Sequence, residues 1–389
     1  MFFPNVVILY LLEMDDFQFT LIPANAPLDS LFSEWAQLNK KIPETNFFHQ
    51  PQWFASYLNA YPETAQNTWF IKLHINGTIY GVFPLRFIKS HRFIFNINTW
   101  QIYWPGDMGI NDFIYLHSNS TKAILRHLSD FLNQQSHLPW HLLHMQNVPD
   151  NSSIAHSLSL SRLPRRVSIY HHDSKHIACK SSFEESVAGL SSKFKRNNNR
   201  KLRKLKKSGM VKFQMAENAS DLQEAFEHFV EIEAANWKGR NKSALKYDQK
   251  QQNFYRELLN LFGKNGQCRI HSLWLNGQPI ASQFALVINN TFHLLKIGYN
   301  ADYHNVAPGG ILLNETIRRF SSDDKIKKIS FVTGAKWNDN WSPQIIRIYD
   351  HFIYNKNIKG YISFFVEKAK SIVRHLKQEF ASNGIKKQK

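Results

Sequence analysis

The sequence is poor in cysteine and lacks the short motifs that mark most common enzyme sites. Its 389 residues include two cysteines, Cys179 and Cys268, with no CxxC or Cys/His spacing. A disulfide scaffold, a structural zinc site or any other metal site is therefore not expected, and a reducing compartment fits. GxGxxG, GxxxxGK[ST], GxSxG and HExxH patterns are all absent. These absences weigh against the usual dinucleotide, P-loop, serine-hydrolase and zinc-protease sites.

Long apolar runs are missing as well. Residues 1–12 (MFFPNVVILYLL) are apolar, but this segment is too short to span a bilayer, has no basic n-region and runs into acidic residues. We expect an edge strand there, or a true start at Met14, rather than a signal peptide. The sequence thus predicts a soluble, cytoplasmic protein with no transmembrane segment.

Positive charge is abundant and unevenly distributed. The net charge is +18, and residues 193–207 (KFKRNNNRKLRKLKK) hold nine cations and no acid. We predict a helix over this segment. Because so many like charges on one helix repel each other, an anionic partner explains the segment better than solvation alone. Lys195, Arg196 and Arg200 are the candidates for contacting a phosphate.

Two similar hairpin patterns indicate an internal duplication. Residues 69–86 contain Asn76-Gly77 between β-rich runs, and residues 269–286 contain Asn276-Gly277 in the same setting. An Asn-Gly pair favours a two-residue turn because both residues accept positive φ. Two unrelated hairpins would be enough to explain the two turns. Helical segments precede each pattern, however, and a strand and a helix follow it, which favours a duplication.

This order of elements predicts an α/β fold with helices covering mixed sheets. We place the boundary in the Ser- and His-rich segment 150–180, which divides the chain into residues 1–165 and 166–389. Residues 361–380 predict a final amphipathic helix. Its apolar stripe consists of Ile362, Phe365, Val366, Ala369, Ile372, Val373 and Leu376.

A glycine pair at a helix start is the most suggestive local motif. A predicted strand ends at Tyr299, and after a loop Pro308-Gly309-Gly310 opens a helix. Glycines allow close approach of a ligand, and the free N–H groups of a first helical turn suit a pyrophosphate. A simple chain break before a helix is the alternative interpretation.

Several segments in order carry a resemblance to a known family. They are the basic segment ending in Ser208-Gly209, the segment WKGR from Trp237, NGQPIASQFAL, KIGYNADYHNVAPGGILLNE and ISFVTGAKWNDNW. Residues 181–341 resemble the acyltransferase domain of CelD/BcsL-type polysaccharide-biosynthesis proteins, a GNAT-superfamily branch related to the FemAB peptidyl transferases. The early segment FFHQPQWFASY resembles the opening of the same proteins.

The resemblance implies tandem GNAT-like domains and an acyl-CoA donor, acetyl-CoA or a longer one. It implies that the pantetheine arm lies along Leu294–Tyr299, which includes Leu295 and Ile297. It also implies that the pyrophosphate meets Ala307, Gly309 and Gly310.

Two departures from the family pattern stand out. Pro308 replaces the first glycine of the phosphate loop, which removes one N–H donor. Trp337-Asn338 replaces a Tyr-Lys pair between the matching Gly334 and Trp341, so any role of that lysine is lost.

Acyl transfer needs a polarised thioester, a nucleophile held near it and a base. Tyr299 is a candidate acid for the leaving thiolate, and Asp302 and Glu233 are candidate bases, although capping a turn or solvation would also explain these carboxylates. Trp237 and Arg240 are candidates for an acceptor pocket, by stacking on a sugar and by binding an anionic group. A core tryptophan and a solvated arginine are the alternative.

Two enzymatic functions remain open. The first is an acyl-CoA-dependent N- or O-acyltransferase for an amino sugar or glycan precursor in polysaccharide or cell-envelope biosynthesis, with an anionic acceptor. The second is a FemAB-like transferase using aminoacyl-tRNA, for which the basic segment is a footprint. No long periodic helical arm follows Leu190, which disfavours the second. A non-catalytic nucleic-acid-binding module is disfavoured because the cations are not interleaved with aromatics.

Overall fold

A computed structural model describes residues 17–42, 44–92, 95–103, 109–116, 121–152, 154–155, 158, 165–323, 325–370 and 372. The expectations for residues 1–12 and Met14 lie outside these ranges. Within them, no helix is long and apolar enough to cross a membrane.

The first half of the chain alternates strands and helices. Its strands are β1 (Phe17–Pro23), β2 (Thr68–Ile75), β3 (Thr78–Arg92), β4 (Phe95–Ile102), β5 (Ile114–Tyr115) and β6 (Leu142–Pro149). Its helices are α1 (Asp29–Lys41), α2 (Pro51–Ala60) and α3 (Thr121–Gln134). The hairpin between β2 and β3 turns at Asn76 and Gly77, both with positive φ, as the sequence predicts.

The second half repeats this order. Its strands are β7 (Arg166–Ala178), β8 (Val211–Ala216), β9 (Cys268–Leu275), β10 (Gln278–Ile288), β11 (Thr291–Tyr299), β12 (Lys328–Ser330) and β13 (Gln344–Tyr354). Its helices are α4 (Phe183–Ser186), α5 (Ser192–Lys207), α6 (Ala219–Ala234), α7 (Trp237–Arg240), α8 (Gln249–Gly263), α9 (Pro308–Ser321) and α10 at residues 358–370. The predicted basic helix is α5. Asn276 and Gly277 form the turn between β9 and β10, again with positive φ.

The two halves share one pairing pattern. In the first, β1, β2, β3 and β4 pair antiparallel in sequence, and β6 lies parallel to β4 after the crossover helix α3. In the second, β8, β9, β10 and β11 do the same, and β12 lies parallel to β11 after α9. This equivalence places the two Asn-Gly turns at corresponding positions, as a duplication requires.

A continuous sheet joins the halves. The strand order is β1-β2-β3-β4-β6-β13-β7-β12-β11-β10-β9-β8, with β5 beside β3. The seam is the long antiparallel pair of β7 and β13, so the last of the described strands lies against β6 of the first half. The domain boundary between residues 165 and 166 stays a prediction. β13 belongs to the second half but pairs with β6 of the first, so the sheet continues across this boundary.

The segment 150–180, in which we place the boundary, contains a strand. β7 occupies its second part and is a central strand of the sheet. Its register shifts between the pairs Ile348↔His172 and Tyr349↔Tyr170, so His171 is an extra residue. This β-bulge interrupts the period-two alternation by which a strand is recognised in a sequence.

Helices of the two halves also pack on each other. Trp53 and Tyr57 of α2 lie edge-on to Phe254 of α8, with ring centroids 5.1 and 5.5 Å apart. Because α2 and α8 precede equivalent hairpins, a shared apolar core of corresponding helices supports the seam from one face of the sheet.

Candidate active site

A cleft of about 1080 Å³ lies where the two halves meet. The second half contributes β11, the start of α9 and the segment around Trp237. The seam contributes β7 and the loop after β12, and the first half contributes Gly109 and Asn147. A concave site at a domain junction, mainly apolar with a few polar groups, is the usual setting for a ligand.

One edge of β11 is open along this cleft. β11 pairs with β12 over Thr291–His293 only. On the same side of β11, residues 294–299 have no strand partner among the described residues. On its other side, Phe284 pairs with Lys296 and Ala285 with Leu294, which leaves Leu295 as a bulge. The separation of β11 from its neighbour exposes backbone N–H and C=O groups, which suit the amides of an extended ligand.

The open edge leads to the start of α9. Ala307, the residue before the helix, has φ 48°, a left-handed conformation that costs a non-glycine residue about 1 kcal/mol or more. The N–H groups of Gly310 and Ile311 donate back to the Ala307 carbonyl at 3.0 and 3.2 Å. A Cβ at Gly309 would lie 3.3 Å from Ile297 Cδ1, whereas a Cβ at Gly310 would meet nothing within 4 Å. The helix start thus presents its positive dipole end and an uncovered Gly310 to the cleft.

Opposite β11, the bulge in β7 directs two consecutive histidines into the cleft. Side chains normally alternate across a strand, but the extra residue His171 places its ring beside His172. Their Nδ1 atoms lie 2.7 Å apart, so one ring donates a hydrogen bond to the other. Burial first, and then the neighbouring His171, lower the pKa of His172, while the Gly109 backbone acts in the opposite direction.

A second irregularity supports these histidines from β6 and β13. The pairing shifts between Tyr349 and His351, and Asn147 has φ 58°. The Asp350 carboxylate accepts a hydrogen bond from the Asn147 N–H at 2.9 Å and lies 3.3 Å from His144 Nε2. Burial alone would raise the pKa of Asp350, but the hydrogen bonds from His144 and the Asn147 backbone lower it. Asp350 is therefore an ionised carboxylate near the two histidines, although it does not line the cleft itself.

The loop after β12 forms a further wall and is tightly fixed. Val332 has φ 61°, which is strained for a β-branched residue, and Thr333 N–H donates to the Phe331 carbonyl across it at 2.5 Å. A Cβ at Gly334 would lie 2.2 Å from the Asp173 carbonyl oxygen, so only glycine fits there. The buried Lys175 donates to the Gly334 carbonyl at 3.1 Å. This loop carries the exposed indole of Trp337 into the cleft.

Most of the predicted donor residues lie in the cleft, and several other predicted residues do not. Those lining it are Leu295, Ile297, Tyr299, Ala307, Gly309, Gly310 and Trp237. Asp302 is exposed outside the lining, and the Asn300 side chain caps this turn by accepting the Asp302 N–H at 3.0 Å. Arg240 is also exposed outside it.

The three predicted phosphate contacts lie on a neighbouring surface. Lys195, Arg196 and Arg200 belong to α5, which packs against the turn at Ala301–Val306 and against α9. Leu205 anchors α5 in the apolar core of the second half. None of the three cations lines the cleft, although α5 borders the loop that leads to α9.

Glu233 lies beneath the cleft rather than in it. Its side chain is fully buried, with Oε1 2.6 Å from Lys238 Nζ and 3.8 Å from Lys296 Nζ, and Oε2 accepts the Leu245 N–H at 2.9 Å. Both lysines line the cleft. With both oxygens engaged, Glu233 is an anchor that positions two cations, and its geometry does not suit a base that collects a substrate proton.

Sequence reasoning missed His171, His172, Lys238, Lys296 and Trp337. The His-His pair in YHHD was the one available signal, because consecutive polar residues inside a strand suggest a bulge. The two lysines carried no signal of their own, since their partner Glu233 comes from a different helix and its burial depends on the fold.

Comparisons with known proteins agree with this geometry. Residues 192–341 match the family model described as "Acetyltransferase (GNAT) domain". The matched segment makes up 150 of the 389 residues. It contains β11, the start of α9 and the loop to Trp341, and it indicates that the protein is an acyltransferase. None of the curated proteins matches the chain.

Solved structures resemble most of the chain in fold. A crystal structure of FemX has a TM-score of 0.57 at 10% identity, covering 83% of this chain and 96% of that one. A protein of unknown function from Bacteroides thetaiotaomicron VPI-5482 has a TM-score of 0.55 at 13% identity, covering 83% and 97%. A tandem GNAT protein from the clavulanic acid biosynthesis pathway has a TM-score of 0.41 at 9% identity, covering 86% of this chain and 98% of that one. Together with the repeated topology, the GNAT domain makes the fold a mixed α/β tandem GNAT arrangement, which confirms the predicted fold class.

Proposed function

We propose that the protein is an acyl-CoA-dependent N- or O-acyltransferase of the CelD/BcsL type, which acylates an amino sugar or glycan precursor in the cytoplasm during polysaccharide or cell-envelope biosynthesis. One observation carries this proposal. The open edge of β11 runs directly into the uncovered helix start at Gly309-Gly310.

The donor fits this path in two parts. The pantetheine amides extend along residues 294–299, where Leu295 and Ile297 line the cleft. The pyrophosphate binds at Ala307, Gly309 and Gly310, where the helix dipole and the Gly309 N–H favour negative charge. Pro308 contributes no donor, so the helix dipole and the Gly309 N–H take a larger share of the binding. Acetyl-CoA is the expected donor.

The acceptor occupies the side of the cleft near the two exposed indoles. Trp237 and Trp337 both line it, and exposed aromatic faces suit stacking on a sugar ring. Lys238, held by Glu233, provides a cation beside Trp237 for an anionic group. The outer cations at Lys195, Arg196, Arg200 and Arg240 are proposed to contact phosphates of a longer acceptor.

Proton transfer is assigned to the seam and to β11. The acceptor's amine or hydroxyl attacks the thioester carbonyl, the carbon–sulfur bond breaks, and the acceptor's proton moves to His171. His172 holds the tautomer of His171 through the 2.7 Å contact between their Nδ1 atoms. Tyr299 donates a proton to the leaving thiolate. Glu233 then acts indirectly, by holding the two lysines, and Asp302 is assigned no direct role.

A FemAB-like transfer from aminoacyl-tRNA is the second candidate. The observation that favours it is the position of α5, whose nine cations border the loop leading to α9. A tRNA would engage many of these cations, whereas a small phosphorylated acceptor engages two or three. The tRNA alternative therefore predicts a steep dependence of affinity on salt.

Calorimetry with acetyl-CoA, longer acyl-CoA and aminoacyl-tRNA separates the two. We expect micromolar binding of an acyl-CoA and no tight binding of tRNA at physiological salt. Each neutralised phosphate adds about 0.7 to 0.9 to the slope of log affinity against log salt. A slope steeper than about −4 with tRNA, and no acyl-CoA binding, would favour the aminoacyl-tRNA reaction instead.

A further inference from the structure

Helix α10, at residues 358–370, exposes apolar side chains on the face that points away from the protein. Ile358, Tyr361, Ile362 and Phe365 are 78%, 42%, 42% and 62% exposed. They follow a spacing of three and four residues, so they form one continuous stripe along the helix. The apolar stripe predicted from the sequence shares Ile362 and Phe365 with this one, and both residues face outward in the protein.

The opposite face of α10 holds the helix against the sheet. A Cβ at Gly360 would lie 2.4 Å from the Asn355 carbonyl oxygen, and Ser363 is buried. Phe364 packs on Tyr354, with ring centroids 5.7 Å apart. The Asn357 side chain caps the helix by accepting the Gly360 N–H at 2.9 Å. Since the inner face of the helix already packs against the protein, the outer apolar stripe is not needed for folding.

Cations flank this stripe. Residues 356–370 contain four lysines and one acid, Glu367, and the lysines are exposed. On a helical projection, Lys368 lies to one side of the stripe and Lys359 to the other. Arg165 lies over the Tyr361 ring at 4.8 Å, adding charge at the border. Scattered exposed apolar residues are normal, but a continuous apolar stripe with cations along both borders needs an occupant.

We propose that α10 is a membrane-surface helix, which lies in the headgroup region of an anionic bilayer with Ile358, Tyr361, Ile362 and Phe365 inserted. Apolar insertion combined with lysines at the headgroup level is how interfacial helices bind anionic lipid. A second copy of the chain is a poorer occupant. Its own α10 would bring the same lysines against these ones, and each chain carries a net charge of +18.

Vesicle co-sedimentation tests the proposal with the full chain. We expect binding to vesicles containing about a third phosphatidylglycerol, little binding to pure phosphatidylcholine, and release at high salt. Phe365→Glu and Ile358→Glu should each lower the partition coefficient at least tenfold. Met210→Glu, at an apolar residue 72% exposed elsewhere on the surface, is the matched control and should leave binding unchanged.

A charge-matched pair tests the role of the flanking cations. Lys359→Glu with Lys368→Glu should weaken binding by about fivefold per lysine. Lys206→Glu with Lys207→Glu makes the same change in net charge, but on α5. This pair should weaken vesicle binding far less. Circular dichroism should show that every variant is folded.

Three results would overturn the proposal. They are no binding of the wild-type chain to anionic vesicles, binding that survives Phe365→Glu and Ile358→Glu, and a dimer in light scattering that Phe365→Glu dissociates. The last would assign the stripe to a second copy. Because no step uses acyl-CoA, failure here leaves the proposed reaction unaffected.

Discussion

His171 and His172 are consecutive residues of a strand, yet their Nδ1 atoms lie 2.7 Å apart inside the cleft. The bulge in β7 produces this arrangement by inserting His171 as an unpaired residue opposite β13. Because the burial of His172 lowers its pKa, this ring remains neutral near pH 7 and can fix the tautomer of its neighbour. The pair thus supplies a positioned imidazole on the side of the cleft opposite the open edge of β11.

The first prediction concerns this pair. His171→Ala should lower kcat/KM by about 10²- to 10⁴-fold, the usual contribution of a general base, with little change in acyl-CoA affinity. His172→Ala should cause a smaller loss and should also shift the acid limb of the pH–rate profile, because it acts by orienting His171.

The control is His91→Ala, at an exposed position on β3. It should leave the rate unchanged. Wild-type kcat/KM in His171→Ala would remove His171 from the reaction.

The second prediction concerns the buried carboxylate of Glu233. Glu233→Ala leaves Lys238, Lys296 and the Leu245 N–H without their acceptor, so the free energy of unfolding should fall by about 3–5 kcal/mol in chemical denaturation. Glu231 lies on the same helix as Glu233, but it is exposed and pairs with Lys246. Glu231→Ala should therefore not measurably change stability. Equal stability of the two variants would contradict the anchoring role.

The third prediction concerns acid stability. Burial lowers the pKa of His271 and of His293 to about 3 each, against about 6.5 in an unfolded chain. Between these values the unfolded chain binds a proton at each site that the native protein does not bind. The free energy of unfolding should therefore fall as pH decreases below about 6.5, by up to about 1.4 kcal/mol per pH unit per histidine.

Denaturation at pH 7 and pH 5 measures this effect. The double variant His271→Asn, His293→Asn should lose less stability between these two pH values than the wild type. Equal losses in the two proteins would show that these histidines do not set the slope.

Local signals in the sequence predicted much of the fold. Both Asn-Gly turns, the basic helix α5 and the glycine-opened helix α9 lie where the sequence places them, because turn chemistry and helix periodicity depend on near neighbours. The repeated order of elements was enough to predict two related halves.

The site was predicted only in part, because its other members depend on the register between distant strands. His171 lines the cleft through a bulge opposite β13, more than 170 residues later in the chain. Asp302 looked like a base because it is near the donor loop in sequence, yet it is exposed outside the cleft. Proximity in the sequence does not determine the direction in which the Asp302 side chain points.

The central claim is that the start of α9 holds the pyrophosphate of an acyl-CoA, and calorimetric titration of acetyl-CoA into two variants tests it. A Cβ at Gly310 would meet nothing within 4 Å, so Gly310→Ala and Gly310→Glu should both fold normally. Gly310→Ala should keep affinity within a few-fold of the wild type. Gly310→Glu should weaken binding at least a hundredfold, because its carboxylate would occupy the pyrophosphate position with like charge. An unchanged dissociation constant in Gly310→Glu would contradict the account.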